Sequence, residues 1–484
     1  MTKTAAYFAL LFLAGTSTTA LAAATPEEAQ RLTTLFQSYL GSEPGVVTVK
    51  PDGDSYDATF DFGPLFGKIK EPGLSASLTP IDWTLTPQGG GKWKIDQDQP
   101  MSFSFKLEGK LDLKGSIGAI KGTGIYDEAL GAFASNTTDI TQFAFEQTMT
   151  EPTGTSKVSY TLATIRSEGT MTGTGDSADG TSKISFTDLR ENISMPGAAD
   201  GSMPPVDVSI TAPSGSQDAT IKGLKPKAVN DLFAWLVARP SKAAIIAEQA
   251  ALKDRLRAAM PIFDNVSSTG SIDNLAVNTM LGKFGIQKLE VLVDMNGVVE
   301  AGSLREKFTF TGFRMPEDIV PPWAAGLVPE NFAIDFNVAD FNLAAPARII
   351  IDKMDLAKEP PLPPGIEPQL QQALLPNGSV KLGLGPSSIV AKIFDIAAEG
   401  SMTAGPLGTP TGQALVKLKG IDGIMTALQS APPEMGMMQV APVVMIAKGM
   451  AKTEADGYIS WEIKSTPEGS ITVNGTDLSK MGGQ

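Results

Sequence analysis

Acid–base chemistry in this chain has to rest on aspartate, glutamate, lysine and tyrosine, because its 484 residues include no histidine and no cysteine. Their absence excludes Ser-His-Asp and Cys-His nucleophiles, His/Cys zinc sites and disulfides. A Ser-x-x-Lys nucleophile pair would survive it, but no serine has lysine three residues on. There is no Gly-x-Ser-x-Gly elbow and no Gly-x-x-x-x-Gly-Lys-Ser/Thr loop. Gly89-Gly90-Gly91-Lys92 lies between two alternating segments and reads as a hairpin loop, since a phosphate loop has to open a helix. Asp52, Asp54 and Asp57, and Asp176 with Asp179, do not match the twelve-residue calcium loop and read as Asx-turns. The 53 acidic residues leave a carboxylate-based hydrolase as an alternative, with no pair singled out. No cofactor or metal is expected.

The candidate contact residues are apolar instead. Met101, Phe103, Phe105 and Leu107 alternate with polar residues, the pattern of a strand with one buried and one wet face. The alternation runs on to Leu111 and Leu113 and reads as one long strand over residues 101–113, bent or bulged at Gly109. Met437, Met438 and Met445, with Met435 and Met450, form a methionine-rich region. An all-thioether copper site there is a poor fit beside the commoner use of methionine as adaptable apolar filler. The functional reading is a surface that contacts varied apolar ligands. Trp323, Leu327 and Val328 lie in a four-proline segment, residues 315–332, which cannot form a long helix. It reads as a core-covering loop or as an apolar docking loop.

The elements that must position these residues are mostly strands. Residues 26–39 read as a helix, with Thr25 as N-cap, Pro26 in the first turn and Leu32, Leu35, Phe36 and Tyr39 on one face. From about residue 45 to 221, two-residue alternation takes over, as at Ile81-Trp83-Leu85, Val158-Tyr160-Leu162, Ile184-Phe186 and Val206-Val208-Ile210. Turns are expected at Pro51-Asp52-Gly53, Gly89-Gly90-Gly91, residues 177–180 and Ser214-Gly215, giving an antiparallel meander. Helices are expected at residues 228–238 and 242–260, then strands at 289–293, 308–310 and 332–338, and a closing hairpin around Pro467-Glu468-Gly469. Residues 219–232 and 414–428 share a strand-into-helix pattern, each followed by a second helix and strands, a candidate duplication.

Met1 to Lys3, the apolar residues 5–14 and Ala20-Leu21-Ala22 make a cleavable secretory signal, cut after Ala22 or Ala24. No later segment reaches the roughly 18 uninterrupted apolar residues of a spanning helix, so no transmembrane anchor is expected after cleavage. The expected location is the periplasm. The formal charge is −14, and no basic block is present, which argues against nucleic acid as a partner.

The stretches Pro321-Pro322-Trp323-Ala324-Ala325-Gly326-Leu327-Val328-Pro329, Phe341-Asn342-Leu343-Ala344-Ala345-Pro346-Ala347-Arg348 and Gly469-Ser470-Ile471-Thr472-Val473-Asn474-Gly475 resemble an uncharacterised family of exported alphaproteobacterial proteins, a domain of unknown function. That resemblance implies a periplasmic location and brings no catalytic residues. More distantly, the strand-rich texture is similar to AsmA-like envelope proteins, which implies long curved sheets with an apolar concave face.

The expected fold is β-dominated α+β, with long twisted antiparallel sheets and a minority of packed amphipathic helices. The expected organisation is a signal peptide (1–24), a helix plus meander (25–222), a helix-pair and sheet module (223–358), a proline-rich connector (359–368) and a second such module (369–484). The expected function is non-enzymatic: binding of an apolar ligand, a lipid above all, in a sheet-lined groove, contributing to cell-envelope maintenance. A scaffold docking an envelope protein partner is the alternative, ahead of the hydrolase.

Overall fold

Alternating apolar and polar residues, punctuated by glycine turns, draw most of the chain into one antiparallel sheet of twenty-one strands. The computed structural model describes residues 23–478 except 70, 71, 153, 199, 200, 203, 240, 407 and 436. Of the expected signal peptide (1–24), residues 1–22 lie outside the described residues. The first ten strands are β1 (Val47–Asp52), β2 (Ser55–Phe60), β3 (Leu74–Leu78), β4 (Ile81–Gly89), β5 (Lys92–Leu107), β6 (Leu111–Asp127), β7 (Ala132–Glu151), β8 (Gly154–Thr174), β9 (Ser177–Met195) and β10 (Val206–Leu224). Then follow β11 (Asn265–Thr279), β12 (Gly282–Asn296), β13 (Gly302–Thr311), β14 (Pro329–Phe341), β15 (Val380–Ala391), β16 (Asp395–Ala404), β17 (Thr411–Lys419), β18 (Lys452–Thr453), β19 (Ile459–Ser465), β20 (Ile471–Val473) and β21 (Thr476–Asp477). The ladder runs β1–β2–β4–β5, then in chain order to β17, then β19–β20–β21. β3 pairs with the second half of β5, and β18 with the start of β19. β8, at 21 residues, is about 70 Å long.

Three expectations about the strands are corrected. Residues 101–113 are not one bent strand: Gly109 (φ 71) sits in a turn, and Phe105 pairs with Leu113 and Leu107 with Leu111 across a hairpin. The odd-numbered alternation persists because the three-residue turn keeps both strands in phase. Ser214-Gly215 is not a turn but the middle of β10, and residues 177–180 open β9.

The helices are α1 (Pro26–Leu40), α2 (Gly63–Phe66), α3 (Pro226–Val237), α4 (Lys242–Ala247), α5 (Gln249–Ala259), α6 (Ala344–Lys353), α7 (Glu367–Leu374), α8 (Ile421–Gln429) and α9 (Ala441–Met450). Thr25 caps α1 by accepting from the Glu28 N–H at 3.2 Å. The helix expected over residues 242–260 is broken at Glu248 (φ −121, ψ 28) into α4 and α5. Contacts run from α1 to α3, α5, α6 and α7 in turn, so these helices line one end of the strands. The Lys227 N–H donates to the Gly175 carbonyl, and Asn230 Nδ2 to that of Gly131, fastening α3 to the β8–β9 and β6–β7 turns. α8 and α9 follow β17 at the other end. β14 pairs directly with β15, so the proline-rich segment 359–368 passes between α6 and α7 outside the ladder.

One irregularity shapes the sheet. In seven successive strands the ladder skips one residue at the same level: Gly118, Gln142, Ala163, Asp188, Pro213, Asn274 and Gln287. Gln142, Asp188 and Asn274 have positive φ (55, 56 and 48). Each skip reverses which parity faces which side, so apolar residues three apart share a face: Ile117 and Ile120, Ile140 and Phe143, Leu162 and Ile165, Phe186 and Leu189, Ile272 and Leu275, Ile286 and Leu289. The row is a crease. Leu162, Leu189 and Ala212 are 6, 8 and 1 % exposed in it, and the hydrophobic residues packed around them (Phe143, Tyr160, Ile165, Phe186, Ile272 and Leu275) are all on strands. The sheet bends toward this face and buries part of it against itself.

Aromatic rings lying on cross-strand glycines reinforce the bend. A Cβ on Gly115 would meet the Phe103 ring at 2.1 Å, and one on Gly215 would meet Phe186 at 2.3 Å. The opposite face is polar, with hydroxyl pairs Ser77–Ser104, Thr164–Thr187 and Thr170–Thr181 and the ion pair Arg166–Asp139 at 3.0 Å. There Asp335, 2 % exposed, accepts from Arg305 Nε (2.9 Å) and Nη2 (2.6 Å), while its N–H donates to Ser387 Oγ at 3.1 Å. The Arg305 hydrogen bonds hold the Asp335 carboxyl below its usual range.

Leu189→Ala should cost about 2–4 kcal/mol in denaturant unfolding, because the crease leaves nothing to fill the cavity. Gly312 (φ 64) faces Gln287 at the end of the row, where an added Cβ would come within 2.7 Å of the Gln287 Cβ. Gly312→Ala should therefore cost more than about 1 kcal/mol. Because the Asp335 pKa is depressed on folding, its stabilisation is present above the ordinary carboxylate range and lost as pH falls from that range through the lowered value of the folded protein. Asp335→Asn should lower stability at neutral pH and flatten the acid limb of a stability-versus-pH curve.

Candidate functional site

The creased face forms a trough whose closed end lies under α1. Leu32 and Ala29 of the helix are buried against Val47, Tyr56, Ala58, Phe60, Leu85, Trp93 and Ile95, because the apolar stripe of α1 meets the inward face of β1, β2, β4 and β5. The fit is incomplete. A cavity of about 490 Å³ remains, lined by Leu35, Phe36, Tyr39, Phe60, Phe62, Trp83, Trp93, Tyr126 and Phe133 among others. That volume lies within the range of small-molecule pockets. Edge-on ring contacts fix its walls: Phe36–Phe60 at 5.0 Å, Phe60–Trp83 at 5.0 Å and Tyr126–Phe133 at 5.6 Å.

Polar groups are confined to its rim. Glu128 accepts from Trp93 Nε1 at 2.7 Å and from Arg31 Nη2 at 2.7 Å, and Arg31 also pairs with Glu28. This clasp ties α1 to the β6–β7 turn. The Glu28 and Glu128 hydrogen bonds raise the Arg31 pKa, so it stays charged. Burial pushes the Tyr39 and Tyr126 hydroxyls above their ordinary range, so both stay neutral. The cavity can hold a neutral hydrocarbon body, and the carboxylate among its lining residues, Glu128, is engaged by Trp93 and Arg31.

Phe133 also lines a second cavity of about 310 Å³, whose trough-side residues include Asn136, Met171, Ala219, Ile221 and Val266. Beyond the crease the floor is Phe103, Phe105, Leu113, Phe143, Phe145, Val158, Tyr160, Ile193 and Val208, joined by cross-strand pairing. Burial, and then Glu191, push the Tyr160 hydroxyl up. On the C-terminal side the same face carries exposed Val291, Phe308, Ile334 and Phe336. It continues into an open groove of about 420 Å³ lined by Phe336, Leu382, Leu384, Met402 and Ile463. Two carboxylates, Glu191 and Glu306, interrupt the apolar face, opposite Ile210 and Phe336.

The residues singled out from sequence fall into two groups. Met101, Phe103, Phe105 and Leu107 are half-buried on β5 in the trough, with Phe103 stacked on Phe145 at 6.3 Å. Trp323, Leu327 and Val328 are half-buried in the β13–β14 loop, which packs on α8 through residues 325–327. Trp323 Nε1 is buried without a hydrogen-bond partner. Met437, half-buried, begins a short turn of helix that also packs on α8, while Met445 is exposed on α9. The side chain of Met438 lies outside the described residues. The loop and methionine residues thus gather around α8, not in the trough.

The cavity under α1 went unread in the sequence. Its walls come from residues 32 to 230, and the signal was the density of Trp83, Trp93, Tyr126 and Phe133 facing the apolar stripe of α1. No family model matches the chain, and no curated protein or solved structure matches it.

Glu128→Ala should leave the indole N–H of buried Trp93 without its partner and loosen α1, at about 1–3 kcal/mol. Hydrogen exchange should speed up across Pro26–Leu40 while β7–β10 keep their protection.

Proposed function

We propose that this protein is a non-enzymatic carrier of an apolar ligand, a lipid acyl chain, held in the trough. The observation that carries the proposal is the apolar face that leads from the cavity under α1, by way of Phe133 and over the crease, to the floor formed by Phe103, Phe145, Tyr160 and Ile193, with the Glu191 carboxylate set into it beside Tyr160. A sheet normally covers its apolar face with helices or a second sheet. Here large side chains such as Val291, Phe308, Ile334 and Phe336 stay exposed on that face, a feature that marks binding surfaces. The confinement of polar groups to the rim supports an apolar ligand body over a polar one. With the secretory signal expected from the sequence, the reading places this carrier in the periplasm, serving the cell envelope.

Delipidated mature protein should take up a fluorescent fatty acid from solution. Phe103→Glu combined with Phe145→Glu should weaken that uptake by at least about tenfold, since two carboxylates would have to be desolvated on the floor. Absence of uptake by the wild-type protein would refute the proposal.

A further inference from the structure

We infer that the strand ends opposite α3 form a docking face for a lipid bilayer, through which hydrocarbon enters the trough; the inference rests on the carrier reading above. Five large apolar side chains project from three neighbouring hairpin ends. Met149 stands at the β7–β8 end (37 % exposed), Met195 and Val206 at the β9–β10 end (44 and 37 %), and Met280 and Leu281 at the β11–β12 tip (68 and 66 %). Met280 and Leu281 are the most exposed of the large hydrophobic residues described.

Met149 is in phase with Phe145, Met195 with Ile193 and Val206 with Val208, so these three side chains continue the trough floor to the strand ends. A cavity of about 690 Å³ at the same ends lies on the opposite, polar face, between the rows Glu146–Ser159–Asn192–Ser209 and Thr148–Lys157–Ser194–Asp207. The exposed tips therefore stand where the trough floor runs out. Three features select a bilayer as the occupant. The tips come from separate hairpin ends spread over six strands, about 24 Å, so whatever covers them must be apolar across that breadth and able to yield around each one. The trough opens directly onto them, so hydrocarbon leaving a bilayer at this point would never cross water. The charges beside the tips on the polar face, Lys157, Glu146 and Asp207, are of mixed sign. Nothing there forms the basic cluster that holds a protein on anionic lipid, so insertion and not headgroup attraction supplies the binding.

The test is flotation of the mature chain with vesicles of phosphatidylcholine and phosphatidylethanolamine, at low and at high salt. Three forms are compared: wild type, the double variant Met280→Ser with Leu281→Ser, and Phe233→Ser. Phe233 is an exposed residue of α3 at the other end of the strands. Wild type and Phe233→Ser should float at both salt concentrations. The double variant should lose at least about tenfold in vesicle binding, the effect of exchanging two inserted apolar side chains for polar ones. All three should take up fluorescent fatty acid from solution equally, because that route bypasses the bilayer and the tip residues are not buried. Wild-type protein that loads fatty acid but stays with the soluble fraction overturns the docking face and leaves the carrier reading standing. A double variant that floats like wild type overturns it as well. Wild-type protein that floats, with flotation lost in the double variant, but takes up no fatty acid supports the docking face and removes the carrier reading.

Discussion

An apolar sheet face has to be covered, and in this protein the cover is supplied largely by the sheet bending onto itself. α1 protects only the strands around β1 to β5. Farther along, the crease buries Leu162, Leu189 and Ala212 with strand side chains alone. The aligned skipped residues make this work. Without them, strict alternation would send Phe143, Leu189 and Leu275 to the polar face, among Thr164, Arg166 and Asp139. The trough would then end halfway along the strands. The positive φ at Gln142, Asp188 and Asn274, and the close approach of Gly312 to Gln287, are therefore conditions for having a trough at all.

Much of this was legible as local pattern and little of it as geometry. Alternation identified the strands, and the stripe of Leu32, Leu35, Phe36 and Tyr39 identified α1. The phase changes were also visible, as apolar residues three apart at Ile140 and Phe143 or Phe186 and Leu189. Singly, each looks like the end of one strand and the start of another, which is how Ser214-Gly215 came to read as a turn. Only the register, which places all seven skips at one level, turns them into a crease. The opposite error occurred at residues 101–113, where a hairpin kept its phase through Gly109 and read as a single strand.

The candidate residues divide along the same line. Met101 to Leu107 were found because strand alternation reports facing directly. The cavity under α1 was not, because it needs residues 32, 93, 133 and 230 to meet, and no local pattern encodes that meeting. The Trp323 loop and the methionine-rich segment were chosen for composition. They pack around α8, where the loop acts as cover for Ile393 and its neighbours, an ordinary use of apolar residues.

A carrier reading makes sense of several features together: an apolar face, a cavity under α1 with its polar groups held at the rim by the Arg31–Glu128–Trp93 clasp, a hydroxyl-rich outer face, and apolar tips where the trough floor ends. The most direct measurement is native mass spectrometry, with lipid extraction, on the protein purified from the cells that produce it. The account predicts adducts of lipid mass that disappear on extraction. A clean apo mass, unchanged by extraction, would contradict it and show that the creased face satisfies itself without a ligand.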